Sequence, residues 1–497
     1  MLSEGARASV VSCVRRHAAE RPGRPALVVG GSEVSYAELW DRALGAAGLL
    51  SAAGVGRGDR VLLHATHSLA YVAAYLGTTL LGAVAVPYEE SLPEPAVLEL
   101  AERVDARASV GPVAVGAGRA TLSEDDVLSA PAVEAPAEGP AAGDLAELLL
   151  TTGTTGRSKV VELTHGAVMA VIENIVTATG IRDDNVSLVP MPLNHVFALR
   201  RLQTGLVMGA TVVLLNGVAS LKRVFGAIGG SGVTSLSLVP SALAYIERTT
   251  KDFLGRFDGQ IRFVESSSAP LPASTRAWLR QTLPHARLYN SYGCTESTAC
   301  CMLEYSHRSD DGACVGAPCA TARIKILDPA TGEELPSGAG RIVIGGGAVM
   351  SGYWGDADAT LATLRDGYVY TNDLGYLEDG ELYVRGRIDD VAIIGGHNVS
   401  PVEVEDIISE CPLVADCACV KGSDPITGDC LVLFVVWEGG DEDADGLAAF
   451  MRERLEPFRI PAHVRPIEAV PRTYNGKVDR KPLAELAVAA VSEGATS

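Results

Sequence analysis

The 497-residue chain has no run of lysine or arginine long enough to follow a phosphate backbone, and its 41 basic residues are outnumbered by 61 acidic ones. With a formal net charge of −20, nucleic acid is not expected as a partner. The same acidity repels polyanions, so any nucleotide site must bring its own backbone amides, cations or metal. The ten cysteines, at 13, 294, 300, 301, 314, 319, 411, 417, 419 and 430, include no Cys-x-x-Cys pair. No signal peptide precedes them, which leads us to expect reduced thiols and a cytoplasmic protein. Cys411, Cys417 and Cys419 lack the spacing of common zinc sites and read as buried structural thiols. No membrane span is expected either. Leu69 to Tyr88 carries no charge, but threonines, glycines and a proline divide it into a helix ending near Leu81 and a short strand, GAVAVPY. A dinucleotide fingerprint is missing as well, because the stretch Gly345 to Met350 fails at the last glycine.

What is present describes a folded, multidomain protein. Hydrophobic residues make up 47% and charged residues 21%, close to globular averages, and the length calls for two or three domains. From Leu27 to about Val113, apolar runs (PALVV, RVLLHA, AVAVP) alternate with helical stretches, the pattern of a parallel α/β domain. Residues 128–142, rich in alanine, proline and glutamate, read as an exposed loop before the strand ELLLT. The alternation resumes through TVVLL, TSLSLVP and IRFVES, then changes near Ala322 to strands and turns. After Arg387 the texture changes again, to a small α+β unit with a helix near Asp445 to Leu455. The expected fold is therefore α/β: a large multilayer N-terminal domain with a β-rich subdomain (1–387), a hinge (388–390), and a small mobile α+β C-terminal domain (391–497).

The strongest local signal is LLLTTGTTGRSKVVELTH, residues 148–165. A strand runs into a loop of Thr151, Thr152, Gly153, Thr154, Thr155 and Gly156, with Lys159 beyond it. Glycines admit close backbone amides, hydroxyls donate, and the lysine adds charge, so the loop suits phosphate. It is not a Walker loop, which places Gly-Lys side by side.

TTGTTGRSK resembles the phosphate loop of the ANL superfamily of adenylate-forming enzymes, which includes acyl-CoA synthetases, peptide-synthetase adenylation domains and luciferases. PLNH (192–195), NSYGCTE (290–296), YTND (370–373), GRIDD (386–390), GGHNVSPVEVE (395–405) and NGKVDR (475–480) follow in the family's order and spacing, so the likeness covers nearly the whole chain. The resemblance implies ATP-dependent, AMP-forming activation of a carboxylic acid and transfer to a phosphopantetheine thiol, CoA being slightly favoured as acceptor. The alternatives are a stand-alone enzyme that loads an acyl, aryl or non-α amino acid onto an acyl or peptidyl carrier protein, and a homologue that binds nucleotide but has lost the chemistry. The cofactors implied are ATP and Mg²⁺, with CoA or carrier-protein phosphopantetheine as acceptor.

The same resemblance implies the site residues. Lys477 contacts the acid carboxylate and the α-phosphate, Glu296 holds magnesium, Thr295 bonds the α-phosphate, and Tyr292 stacks on adenine. Asp373 accepts the ribose hydroxyls, while Arg387 contacts ribose or phosphate. His195 gates the passage between the acid and thiol sites, Asp389 is the hinge, and Gly395 and Gly396 line the pantetheine tunnel. The acid pocket falls to Val196, Phe197, Val239, Ser266, Ser267, Ser268, Ser297 and Ala299, mostly apolar with a polar serine floor. Four features depart from the common pattern: Asn372 for glycine in Thr-Gly-Asp, Ser158 for proline, Val160 for glycine, and Ser267-Ser268 for Gly-Gly. Asn372 is expected to strain its turn. The aspartate of α-amino-acid-activating relatives is absent near His195, as is the asparagine of aryl-acid relatives, for which Val196 stands. The acid is left as aliphatic, aromatic or an unusual amino acid.

Overall fold

The computed structural model describes residues 9–494 apart from 117, 137, 152–157, 251, 309–312, 395–396, 425–427, 441 and 474–476. Two large, mostly parallel sheets form its body. One has seven strands in the spatial order Gly352–Tyr353, Val160–Thr164, Leu145–Leu150, Val84–Tyr88, Arg60–His64, Ala106–Val110 and Ala120–Leu122. The uncharged segment at Leu69 divides as expected, into a helix Leu69–Leu80 and the strand Val84–Tyr88, whose five residues are all buried. Ser68 caps that helix by accepting from the Tyr71 amide, a contact worth about 1 kcal/mol. Among the described residues no helix is long and apolar enough to cross a membrane.

The second sheet has eight strands and sets the geometry of the site. Four of its parallel strands lie side by side in the order Arg287–Cys294, Phe263–Ser266, Ser235–Leu238 and Val186–Val189. Parallel neighbours end at the same edge, and in open α/β sheets that carboxyl edge is where ligands bind. The segments leaving these four ends carry Tyr292, Ser266 to Ser268, Val239, and the stretch leading to His195.

Between the two sheets lies the helix Val196–Met208, eleven of whose thirteen residues are buried. Its two adjacent arginines point to opposite sheets. Arg200 forms a 2.8 Å ion pair with Glu147 of the strand Leu145–Leu150, completed by Tyr75 and Gln203. Arg201 pairs with Glu265 of the strand Phe263–Ser266 in the other sheet. Breaking one partner of such a pair strands a buried charge, which costs about 3–5 kcal/mol. The helix is thus held from both sides.

A six-stranded antiparallel sheet follows, containing Gly340–Gly346, Tyr368–Glu378 and Glu381–Arg387, where strands and turns were expected. Beyond Arg387 a two-stranded pair, Ala392–Ile394 with His397–Val399, precedes a three-stranded sheet of Val414–Asp424, Gly428–Trp437 and His463–Pro466. These pack with the helices Pro401–Ile408, Ala444–Arg454 and Arg480–Gly494 into cores that take no apolar residue from before Ala392. Cys411, Cys417 and Cys419 are buried in one of these cores. Among the described residues no group of three or more His, Cys, Asp or Glu side chains is arranged to hold a metal.

Candidate active site

Residues from six separate stretches of the chain contribute to the candidate site. Asp373 lies on Tyr368–Glu378, opposite Arg387 on the neighbouring antiparallel strand. Its Oδ2 accepts a 2.6 Å hydrogen bond from the Tyr292 hydroxyl. Burial raises the Asp373 pKa, while the Tyr292 bond, Arg387 and Lys477 act in the opposite direction. Tyr292 is pushed up well beyond an ordinary phenol, by desolvation first and then by the Asp373 charge. The arrangement is a carboxylate acceptor flanked by the cations Arg387 and Lys477, which suits vicinal hydroxyls.

Glu296 follows the strand Arg287–Cys294 at a tight turn. Its Oε1 accepts a 2.6 Å hydrogen bond from the Tyr353 hydroxyl, and its carbonyl accepts from the Met350 amide at 2.9 Å. Lys159 sets its ammonium 4.5 Å from the centre of the same Tyr353 ring. Tyr353 therefore links the end of the glycine-threonine loop to the carboxylate. Thr151 and Lys159 close the base of that loop, the Thr151 amide donating to the Lys159 carbonyl at 2.9 Å. Thr152, Gly153, Thr154, Thr155 and Gly156 lie outside the described residues. A carboxylate with one oxygen held by Tyr353 fits magnesium, which keeps waters and phosphate oxygens in its shell and does not need a cage of side chains.

Lys477 reaches this cluster from the far end of the chain. Lys477 is an exposed residue, and its ammonium lies in the field of Asp373, Arg387, Cys294 and Glu296. Desolvation is the largest influence and lowers its pKa. His195, the first residue before the helix Val196–Met208, also feels Lys477 and is lowered to about 4, chiefly by burial. Its Nε2 lies 3.1 Å from Asn194 Nδ2. With that shift His195 is neutral near pH 7.

The residues expected to line the acid pocket differ in burial. Phe197, Val239, Ser266, Ser297 and Ala299 are buried, whereas Val196, Ser267 and Ser268 keep some exposure. Asn372, expected to strain its turn, lies within a strand, and its φ is not among the positive ones. The strain is at Ser268, with φ 79°, and at Ala299, with φ 49°. The Asn372 amide instead donates to the carboxylate of Asp389. Gly395 and Gly396 lie outside the described residues. Arg201 and Glu265 were missed by the sequence reading. A glutamate in the middle of the apolar strand FVES was the available signal. A separate cleft of about 520 Å³ beside Glu38, Arg42 and Ala130 gathers none of these groups.

Similarity to known proteins identifies the family. The family of AMP-binding enzymes matches residues 14–354, and the AMP-binding enzyme C-terminal domain matches 403–477. A feruloyl-CoA synthase from an Amycolatopsis species is 31% identical over 93% of this chain and 96% of its own. A fatty acid–[acyl-carrier-protein] ligase from Streptomyces coeruleorubidus is 29% identical over 96% of each. Among solved structures, the o-succinylbenzoate CoA synthetase of Bacillus subtilis in complex with ATP and magnesium superposes with a TM-score of 0.85 at 27% identity, covering 95% of this chain and 98% of that one. The chain belongs to the AMP-binding enzymes, the ANL superfamily, and is an AMP-forming acid–thiol ligase.

Proposed function

We propose that this enzyme makes an acyl-adenylate from ATP and a carboxylic acid and then passes the acyl group to CoA. In the first step an acid carboxylate oxygen attacks the α-phosphorus of ATP and pyrophosphate leaves. In the second the CoA thiolate attacks the acyl carbonyl and AMP leaves. Two anions must meet in the first step, so the chain's task there is positioning and charge stabilisation. The observation that carries this reading is the entry of Lys477, a residue of the C-terminal unit, into the field of Asp373, Glu296, Arg387 and His195.

In this reading Lys477 spans the carboxylate and the α-phosphate, Thr295 adds a hydroxyl to that phosphate, and Arg387 neutralises its neighbour. Asp373 exchanges its Tyr292 bond for the ribose hydroxyls, freeing the tyrosine ring to lie on adenine. Glu296 would hold magnesium, which supplies charge neutralisation of the phosphates, and Tyr353 fixes that carboxylate while Lys159 covers the other side of its ring. The C-terminal unit, from 391 onward, turns about 388–390 between the two steps and withdraws Lys477. Gly395 and Gly396 then line the thiol passage, with His195 at its inner end.

The test is acid-dependent exchange of labelled pyrophosphate into ATP with magnesium, over short, medium, aryl, β-amino and α-amino acids and without a thiol. Exchange with one class supports adenylation and names that class. Silence across the panel from folded, ATP-binding protein would overturn it in favour of an inactive homologue. Thioester formation with CoA, compared with a phosphopantetheinylated carrier protein, then decides the acceptor, and a higher kcat/KM for the carrier would refute the CoA assignment.

A further inference from the structure

The Arg201–Glu265 pair is buried on both sides, with side-chain exposures of 7% and 0%. It is also incompletely satisfied. Glu265 Oε1 accepts from Arg201 and, at 2.8 Å, from the Ser291 hydroxyl. Arg201 Nε and Nη1, Glu265 Oε2 and the neighbouring Ser266 Oγ have no hydrogen-bond partner among the described residues. Buried polar atoms are nearly always partnered, so four together at one place call for a partner that is not part of the fold. In the Arg200–Glu147 pair one residue away only Arg200 Nε lacks a partner among the described residues, since Tyr75 and Gln203 complete the carboxylate.

The half-satisfied pair is continuous with the expected acid pocket. The Phe197 ring lies 5.6 Å from the Arg201 guanidinium, Ser266 follows Glu265 in the chain, and the Ser267 hydroxyl donates to the Ser291 carbonyl at 2.9 Å. The unpartnered atoms are of mixed kind: two donors on arginine, an acceptor on glutamate, and a serine hydroxyl that serves as either. A hydrocarbon end would seal all four dry, and a second carboxylate would face Glu265, whose charge already neutralises the arginine. A neutral group that both donates and accepts matches the set.

We infer that the far end of the acid pocket is formed by Arg201, Glu265 and Ser266, and that the acid it selects ends in a hydroxyl or primary amide. The inference rests on the adenylation reading above. A site built to hydrogen-bond a substrate hydroxyl discriminates strongly against the analogue that lacks it, whereas an apolar pocket tolerates either.

The test uses the full-length enzyme with ATP, magnesium and CoA, and compares kcat/KM for acids of one skeleton with and without the terminal group: ω-hydroxyalkanoates against alkanoates, and phenolic against phenyl acids. The best hydroxylated acid should exceed its partner by about 100-fold or more. The double variant Arg201→Leu/Glu265→Leu removes both charges together and so avoids a lone buried ion; its ratio should fall to within about threefold of one. Should that variant fail to fold, Glu265→Gln, which keeps the shape and removes the charge, must change the ratio. A wild-type ratio near one, or a ratio unchanged in the variants, overturns the inference and leaves adenylation standing. Pyrophosphate exchange with no acid of either series would overturn both.

Discussion

Lys477 and His195 carry the predictions that belong to single residues. A lysine needed only in the first conformation should be dispensable in the second. Lys477→Ala is expected to slow adenylation by a factor of about 100 or more, the scale seen when one preorganised charge-stabilising donor is lost. Conversion of a supplied acyl-adenylate to thioester should persist, and equal loss of both half-reactions in rapid-quench assays would disprove the role. Because desolvation lowers the Lys477 pKa from its usual 10.5, the alkaline limb of adenylation should fall below pH 10.5, and Lys477→Arg should move it upward. For His195 the sign runs the other way along the pH axis. Its folded pKa of about 4 lies below the ordinary 6.5, so between these values the unfolded chain binds the extra proton and folding stability declines as the pH falls from 6.5 to 4. Urea unfolding of His195→Gln should show a shallower decline over that window than wild type. Identical slopes would exclude His195 as a contributor.

Among the elements, the loops that leave strands show both what sequence could reveal and where it stopped. The motifs holding Asp373, Glu296 and Lys477 stand out in the sequence because the chemistry that the family likeness implies requires particular residue types at particular spacings. The helix and strand inside Leu69 to Tyr88 were legible from glycine, proline and length. Strain was assigned to the wrong residue. Asn372 was compared with a glycine it replaces, but it lies within the strand Tyr368–Glu378 and is not among the positive-φ residues, whereas Ser268 is. The Arg201–Glu265 pair was not legible because the two are 64 residues apart and only the packing of a helix against a parallel strand brings them together. Asn372 has an effect no strain argument foresees, since its amide binds Asp389 in the connection to the C-terminal unit. Asn372→Gly should remove that tie and slow adenylation several-fold, by about the 1 kcal/mol of one hydrogen bond, while leaving the thioester half-reaction at least as fast. Slower transfer with unchanged adenylation would refute the tie.

At the scale of the molecule, the separate cores on either side of residue 391 and the single connection between them fit a two-step enzyme whose halves reorient. Asp389→Pro, which restricts φ in that connection, is expected to retain pyrophosphate exchange and to lose most thioester formation. Undiminished thioester formation would remove the case for a swing. The body that stays behind must not yield when the smaller unit moves. The helix Val196–Met208 has a buried ion pair to each sheet from consecutive residues, Arg200 and Arg201. It behaves as a shaft keyed on two flanks: rolling it by even one residue's arc would shear both keys at once. In the proposed cycle the backbone of His195, at the tip of this helix, belongs to the part that does not turn, so the acid site keeps its place while the smaller unit exchanges the lysine for the thiol.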